Sequence, residues 1–207
     1  MRGLFITFEG IEHCGKTTQS ERLATYLEEA EHDVVLTREP GGTPVGAAIR
    51  DLVLHSEVDV DTVSELLLFA ADRAQHVRTL IQPALEVGKI VISDRFYDST
   101  RAYQGYGRGT DKDLIDRATS LATDGLAPDL TVLMDIDVET SRSRSNRRDD
   151  DRIEQNSNAF HDRVRNGFLR IAEEERSRVL TIDGSQAMED VADLILERVN
   201  ELLSARS

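Results

Sequence analysis

The sequence predicts an α/β domain in which a parallel sheet is covered by helices on both faces. Three observations carry that reading. Short apolar runs, β-branched and unbroken, recur along the chain; between them lie longer segments whose apolar residues repeat every three or four positions. No internal repeat, Pro/Ser-rich linker or low-complexity tract interrupts the 207 residues, so one domain is expected over 1–207.

Strands are expected at 4–8, 34–37, 90–93, 131–134 and 179–182, where no apolar/polar alternation marks a wet face. Helices are expected at 17–30, 62–80, 112–123, 139–148, 159–175 and 188–203, and a further one should carry Arg50. In the last of these, Leu194, Ile195, Val199 and Leu202 share a face. Pro83 should end or kink the helix over 62–80, and Pro128 should fix the approach to the fourth strand. Folds of this class bind ligands at the carboxyl ends of the strands.

Composition narrows the function. With 25 basic and 39 acidic residues the net charge is −14, which opposes a broad nucleic-acid or anionic-membrane footprint. Any polyanion must bind locally. Lysine occurs only at Lys16, Lys89 and Lys112, and acidic residues are spread through every segment, a pattern expected of halophilic adaptation and also of an ordinary acidic cytosolic protein. No apolar stretch approaches a membrane span, and the first residues lack the length and cleavage site of a secretory signal. A single cysteine, Cys14, rules out an internal disulfide framework and agrees with a reducing cytoplasm. His32, His55, His76 and His161 form no zinc-ligand spacing.

Directly after the first strand comes Gly10-Ile11-Glu12-His13-Cys14-Gly15-Lys16-Thr17, with Thr18 following, a match to G-x-x-x-x-G-K-[ST] between a strand and a helix. Such a loop turns its amides inward around phosphate oxygens, and the helix amino end adds positive potential. Lys16 is placed to reach the β and γ phosphates of a nucleoside triphosphate, and Thr17 to offer a hydroxyl to Mg²⁺. No Asn-Lys pair is present, which weakens a guanine-specific switch reading.

A second anion site is expected nearby. Thr37-Arg38-Glu39-Pro40-Gly41-Gly42-Thr43 puts a tight turn and an arginine at the end of the second strand, although a solvated turn would have the same composition. The third strand ends in Asp94-Arg95-Phe96: Asp94 suits Mg²⁺ and Arg95 suits bridging phosphates, and the two equally suit a structural ion pair.

Taken in order, Gly10–Thr18, Thr37–Thr43, Leu68-Phe69-Ala70-Ala71-Asp72-Arg73, Asp94-Arg95-Phe96, Ala102-Tyr103-Gln104-Gly105 and Asp151-Arg152-Ile153-Glu154 resemble the thymidylate kinases over nearly the whole chain. That resemblance implies a P-loop NTPase fold with a five-stranded parallel sheet, a homodimer, and transfer of phosphoryl from ATP to dTMP in dTTP biosynthesis, with Mg²⁺ as cofactor. It implies that Phe69 stacks on thymine while Arg73 and Gln104 bond its edge. Arg50 and Arg95 would hold the dTMP phosphate with Ser99 and Thr100 nearby, Tyr103 would crowd the sugar, and Glu12 would act near the 3′-hydroxyl or acceptor phosphate. Arg38, beside the turn after the second strand, is expected to bind the second anion as well.

The segment 142–152, RSRSNRRDDDR, is too charged to be buried and lies between two helices. It is the core of a lid expected at about 142–154, closing over ATP and excluding water. Since the loop carries Glu12-His13 rather than an arginine, the lid is expected to supply the missing cation from Arg152 or Arg148, with Arg147 behind. Pairing of these arginines with Asp149, Asp150 and Asp151 is the competing expectation. His13 is expected to face solvent, and Cys14 to fill space beside the site, with bound ATP slowing its alkylation. Two other functions stay open: a P-loop kinase for another nucleoside or mononucleotide, and a nucleotide-dependent switch protein.

Overall fold

The computed structural model of the protein describes residues 2–56, 59–145 and 151–206. Five parallel strands form one sheet: β1 (Phe5–Glu9), β2 (Val34–Arg38), β3 (Ile90–Asp94), β4 (Leu130–Asp135) and β5 (Val179–Asp183), in the order β2-β3-β1-β4-β5. The expected strands are present, each running one residue further at its carboxyl end. Those added residues are Glu9, Arg38, Asp94, Asp135 and Asp183. Ladder bonding uses only backbone, so a polar residue can close a strand whose interior is apolar. The outcome is a sheet whose carboxyl edge is lined with charge.

β1 is buried along its whole length. Because side chains alternate between faces, Phe5 packs with Val77, Ile81, Leu85 and Val91 on one side. Ile6 and Phe8 join Leu23, Leu27, Val191 and Ile195 on the other. Full burial of such side chains is worth about 1.5–3 kcal/mol each, which makes β1 the rigid base from which the loop after it projects.

Around the sheet lie α1 (Lys16–Glu29), α2 (Pro44–Arg50), α3 (Thr62–His76), α4 (Gln82–Glu86), α5 (Tyr97–Thr100), α6 (Lys112–Thr123), α7 (Val138–Arg144), α8 (Asn158–Glu174) and α9 (Met188–Ser204). Thr43 caps α2 by accepting from the Gly46 N–H at 3.0 Å, and Pro44 stands where its missing N–H costs nothing. Instead of one helix over 62–80, α3 passes into a widened π-helical stretch, Val77–Ile81, and α4 then takes Pro83 into its first turn. The disturbance from the proline is absorbed upstream. Two other π-helical stretches, Asp51–His55 and Arg101–Gly107, follow α2 and α5. Periodicity of 3.6 gives no signal for such turns, and the helical character of 97–107 has no counterpart in the sequence reading. The helix expected over 139–148 is shorter: α7 ends at Arg144 and Ser145 is extended, at ψ 141°, while residues 146–148 lie outside the described residues.

Candidate active site

The loop from Gly10 to Gly15 joins β1 to α1. Gly10 has φ +137°, and a Cβ there would lie 2.4 Å from the Met134 carbonyl oxygen, so no side chain fits. Gly15, at φ +97°, precedes an α1 amino end that has no side-chain cap. The first-turn N–H groups are therefore left for a ligand, as an anion cradle requires. Lys16 is buried, and its Nζ donates to the Ile11 carbonyl at 2.7 Å, so the ammonium arches over the loop. Cys14 is 1% exposed, with its Sγ 3.5 Å from the Lys16 Nζ. His13 adopts φ +56° and is largely exposed, its Nε2 4.0 Å from Glu154 Oε1.

A cavity of about 500 Å³ opens over this loop. One end is lined by Glu12, His13, Gly15, Lys16, Thr17 and Thr18; the other by Arg38, Arg50, Phe69, Arg73, Ser99, Thr100, Tyr103 and Gln104. Asp94 and Arg95 also border it, Asp94 bonded to Thr17 and Arg95 to Glu12, Ser99 and Tyr103, so that Arg95 links the two groups. Thr17 Oγ1 donates to Asp94 Oδ2 at 2.5 Å, bringing together the two oxygens expected to serve a metal. Both are hard donors. Among the described residues no group of three or more His, Cys, Asp or Glu could enclose a cation. A partial oxygen shell of this kind suits Mg²⁺, which keeps waters and takes phosphate oxygens.

Arg95 is the hub of the site. It stands at φ +74°, a conformation that costs a non-glycine residue energy, and four contacts hold it. Its Nη1 donates to the Gly10 carbonyl and to Ser99 Oγ, each at 3.0 Å; its Nη2 reaches Glu12 Oε1 at 3.2 Å and the Tyr103 hydroxyl at 3.4 Å. Burial would weaken this guanidinium's hold on its proton, but Tyr103, Glu12, Asp94 and Glu9 more than reverse that and keep it charged. Glu12 also bonds the Tyr103 hydroxyl and faces His161 Nδ1 across 3.3 Å. Burial would raise its pKa; the His161 ring, Arg95 and Lys16 win and hold it far below the usual carboxylate range.

At the acceptor end, Arg50 donates to the Pro40 carbonyl at 3.0 Å. Its pKa is lowered chiefly by burial and then by the neighbouring Arg38, with Asp151 and Asp94 opposing the shift. Arg73 is buried and spends three donors on the protein: Nε to Glu39 Oε2 at 2.8 Å, Nη1 to Thr100 Oγ1 at 2.8 Å, and Nη2 to the Phe96 carbonyl at 3.1 Å. Of its five N–H groups, two remain for a ligand. Phe69, one turn earlier on α3, lies against the same space.

Several supporting residues have no counterpart in the sequence reading. Glu9, fully buried, accepts from the Phe96 N–H at 2.8 Å and the Ser99 N–H and Oγ at 3.2 and 2.6 Å, which fixes the turn that carries Arg95. Burial and the nearby Asp98 raise its pKa to about 7. Glu39 joins Arg73 to His76, whose Nδ1 is 2.9 Å away, and His76 Nε2 meets Thr37 Oγ1 at 2.8 Å. Glu65, also buried, collects Gln104, Arg108 and Arg152.

The lid residues divide. Arg152 does not border the cavity; it donates to the Val53 carbonyl at 2.9 Å and to Glu65 Oε2 at 2.6 Å. Arg144 does border it, bonding the His13 carbonyl at 3.4 Å and the Gly184 carbonyl at 3.1 Å. Arg147 and Arg148 lie outside the described residues.

A five-stranded parallel sheet, a glycine-lysine phosphate loop on its first strand and a second, arginine-lined pocket facing that loop define a P-loop kinase of the nucleotide-phosphorylating class. A family model described as thymidylate kinase matches residues 8–195, and the chain belongs to that family. It is 46% identical over 208 residues to the thymidylate kinase of Trichlorobacter lovleyi, covering 95% of this chain and 98% of that one. Over 192 residues it is 50% identical to the thymidylate kinase of Carboxydothermus hydrogenoformans, covering 92% and 94%. The crystal structure of thymidylate kinase from Ehrlichia chaffeensis superposes with a TM-score of 0.80 at 40% identity, over 97% of this chain and 99% of that one.

Proposed function

We propose that this chain is an ATP-dependent thymidylate kinase, moving the γ-phosphoryl group of ATP to dTMP to give dTDP and ADP. One observation carries the reading: Lys16 and Thr17 on one side and Phe69, Arg73 and Gln104 on the other line a single cavity, with Arg95 between them. An oxygen of the dTMP phosphate attacks the γ phosphorus while the bond to the β–γ bridging oxygen breaks and leaves with ADP. That phosphate is already largely ionised near neutrality, so no general base is needed. Alignment and charge neutralisation remain.

Repulsion is the obstacle. Each pair of unit charges ~4 Å apart costs about 4 kcal/mol at an effective dielectric near 20. Lys16 meets the donor's terminal phosphates, while Arg95 and Arg50 hold the acceptor phosphate with Arg38, Ser99 and Thr100 around it. Glu12 holds Arg95 in line and approaches the sugar, whose 2′ position Tyr103 crowds. Thr17 and Asp94 would hold Mg²⁺, which when bound withdraws charge from the phosphate oxygens. Arg144 already reaches the loop; Arg152, released from Glu65, is the further cation assigned to the lid over 142–154.

Adding ATP, Mg²⁺ and each mononucleotide in turn to the purified protein, and separating products by chromatography, tests the assignment. ADP and dTDP formed in equal amounts with dTMP support it. A homodimer formed through α3 is part of the proposal, since Val63 and Leu67, one turn apart, are 45% and 56% exposed; light scattering of a monomer would remove it. No helix among the described residues is long and apolar enough to cross a membrane. A cytoplasmic location is part of the proposal, supported by the single cysteine, which forms no internal disulfide.

A further inference from the structure

Reading a pyrimidine edge demands the right polarity at each contact. Thymine offers a donor at N3 and an acceptor at O4; cytosine offers an acceptor at N3 and a donor at its exocyclic amine. An arginine can only donate, but a glutamine side chain can present either end. Something must therefore fix which end of Gln104 faces the base.

Gln104 is 2% exposed and lines the cavity beside Phe69 and Arg73. Its Nε2 donates to Glu65 Oε1 at 3.0 Å. Glu65 itself does not border the cavity; it lies behind Gln104, 1% exposed. We propose that Glu65 is the specificity-determining positioning residue of the base pocket: by claiming the NH₂ end of Gln104 it turns the carbonyl oxygen to the cavity, so that the pocket accepts from N3–H of thymine and rejects cytosine. The inference rests on the dTMP reading above.

The geometry supports this in two ways. Glu65 Oε1 receives Arg108 Nε at 3.3 Å and its Oε2 receives Arg108 Nη2 at 3.3 Å, so the two-pronged Arg108 pair holds both oxygens and fixes the carboxylate even when Arg152, 2.6 Å from Oε2 here, exchanges it for phosphate. Burial would push its pKa up, but the bonds from Gln104 and Arg108 outweigh that and bring it down, which keeps Glu65 an acceptor only. A flipped Gln104 would set carbonyl against carboxylate in a buried place, with no donor between them. Glu39, which borders the cavity, does matching work: it takes Arg73 Nε at 2.8 Å, and with the bonds to Thr100 and Phe96 this leaves two N–H groups of that cavity-lining guanidinium for a ligand. Two buried carboxylates thus write the donor and acceptor pattern that the base must complement.

The test compares dTMP with 5-methyl-dCMP, which keeps the methyl group and differs only along the edge being read. For the wild type, kcat/KM should favour dTMP by about 10⁴-fold, as expected when a mismatched ligand leaves buried polar groups unpaired. In Glu65→Gln the amide can pair with either end of Gln104, and the preference should fall at least about ten-fold through KM for the two acceptors, with KM for ATP unchanged within about two-fold. Glu65→Asp keeps acceptor-only polarity and should restore most of the preference. A preference unchanged in a folded Glu65→Gln overturns the proposal, as does an equal loss in both variants. Should Glu65→Gln fail to fold, ¹⁵N NMR of the wild-type protein decides: the Gln104 NH₂ protons should be protected from exchange before dTMP is added and equally after, whereas protection that arises only with dTMP would place the NH₂ on the base and refute the assignment. Absence of any dTMP phosphorylation by the wild type would instead sink the functional reading beneath it.

Discussion

Thr17 Oγ1 donates to Asp94 Oδ2 across 2.5 Å, joining the first turn of α1 to the end of β3. Two strands that are neighbours in the sheet, β1 and β3, thereby deliver a hydroxyl and a carboxylate to one point beside the phosphate loop. If that point is where Mg²⁺ sits, replacing Asp94→Ala should lower kcat by about 10²-fold or more and raise the Mg²⁺ concentration needed for half-maximal rate. Unchanged Mg²⁺ dependence would place the metal elsewhere.

Arg152 stands on Glu65 rather than over the loop. Acting as the lid's cation, it must exchange that partner for phosphate, and Arg152→Ala should then cost about 10³-fold in kcat with little change in KM for ATP. A variant with wild-type kcat and only a raised KM for dTMP would confine Arg152 to bracing Glu65 and leave the charge to Arg144.

Glu9 gives a pH signature. Its pKa rises from 4.5 in the unfolded chain to about 7 in the fold, so between those values the folded protein keeps a proton that the unfolded chain has lost. Stability from this group is therefore greatest below about pH 4.5 and declines as pH rises toward 7. Relative to Glu9→Gln, the wild type should lose of order 2–3 kcal/mol between pH 5 and pH 8, read from denaturant unfolding at each pH. A constant difference across that range would mean Glu9 titrates normally.

The acidic composition carries its own expectation. At −14 the surface repels itself, and the screening length shrinks from roughly 10 Å at 0.1 M salt to 3 Å at 1 M. Melting temperature should climb by several degrees from 0.1 M to 2 M KCl. Full stability in dilute buffer with no salt response would remove the halophilic reading.

Most of the sheet was legible because a fully buried parallel strand has a simple signature, as in 90–93, and the loop at 10–17 because its chemistry tolerates few residue types. The carboxylates that hold the site together were not. Glu65, Asp72 and His76 lie on the same buried face of α3 as Phe69 and Arg73, at spacings of three and four, yet in sequence they pass for the solvated side of an amphipathic helix. Their signal was a mismatch: polar residues at positions where the helix period calls for apolar ones. Nothing local marked Glu9 either, since its partners Phe96 and Ser99 are supplied by another strand's end. The reach of Arg144 to His13 likewise depends on where β5 brings Gly184.

The phosphate loop and the pocket of Phe69, Arg73 and Gln104 share one cavity, an arrangement suited to passing phosphoryl from one to the other. Measuring ADP release with ATP and Mg²⁺, with and without dTMP, addresses it directly. Adding dTMP should accelerate ADP formation by orders of magnitude, with one dTDP per ADP; slow hydrolysis indifferent to dTMP would show that phosphoryl does not pass between the two ends of the cavity.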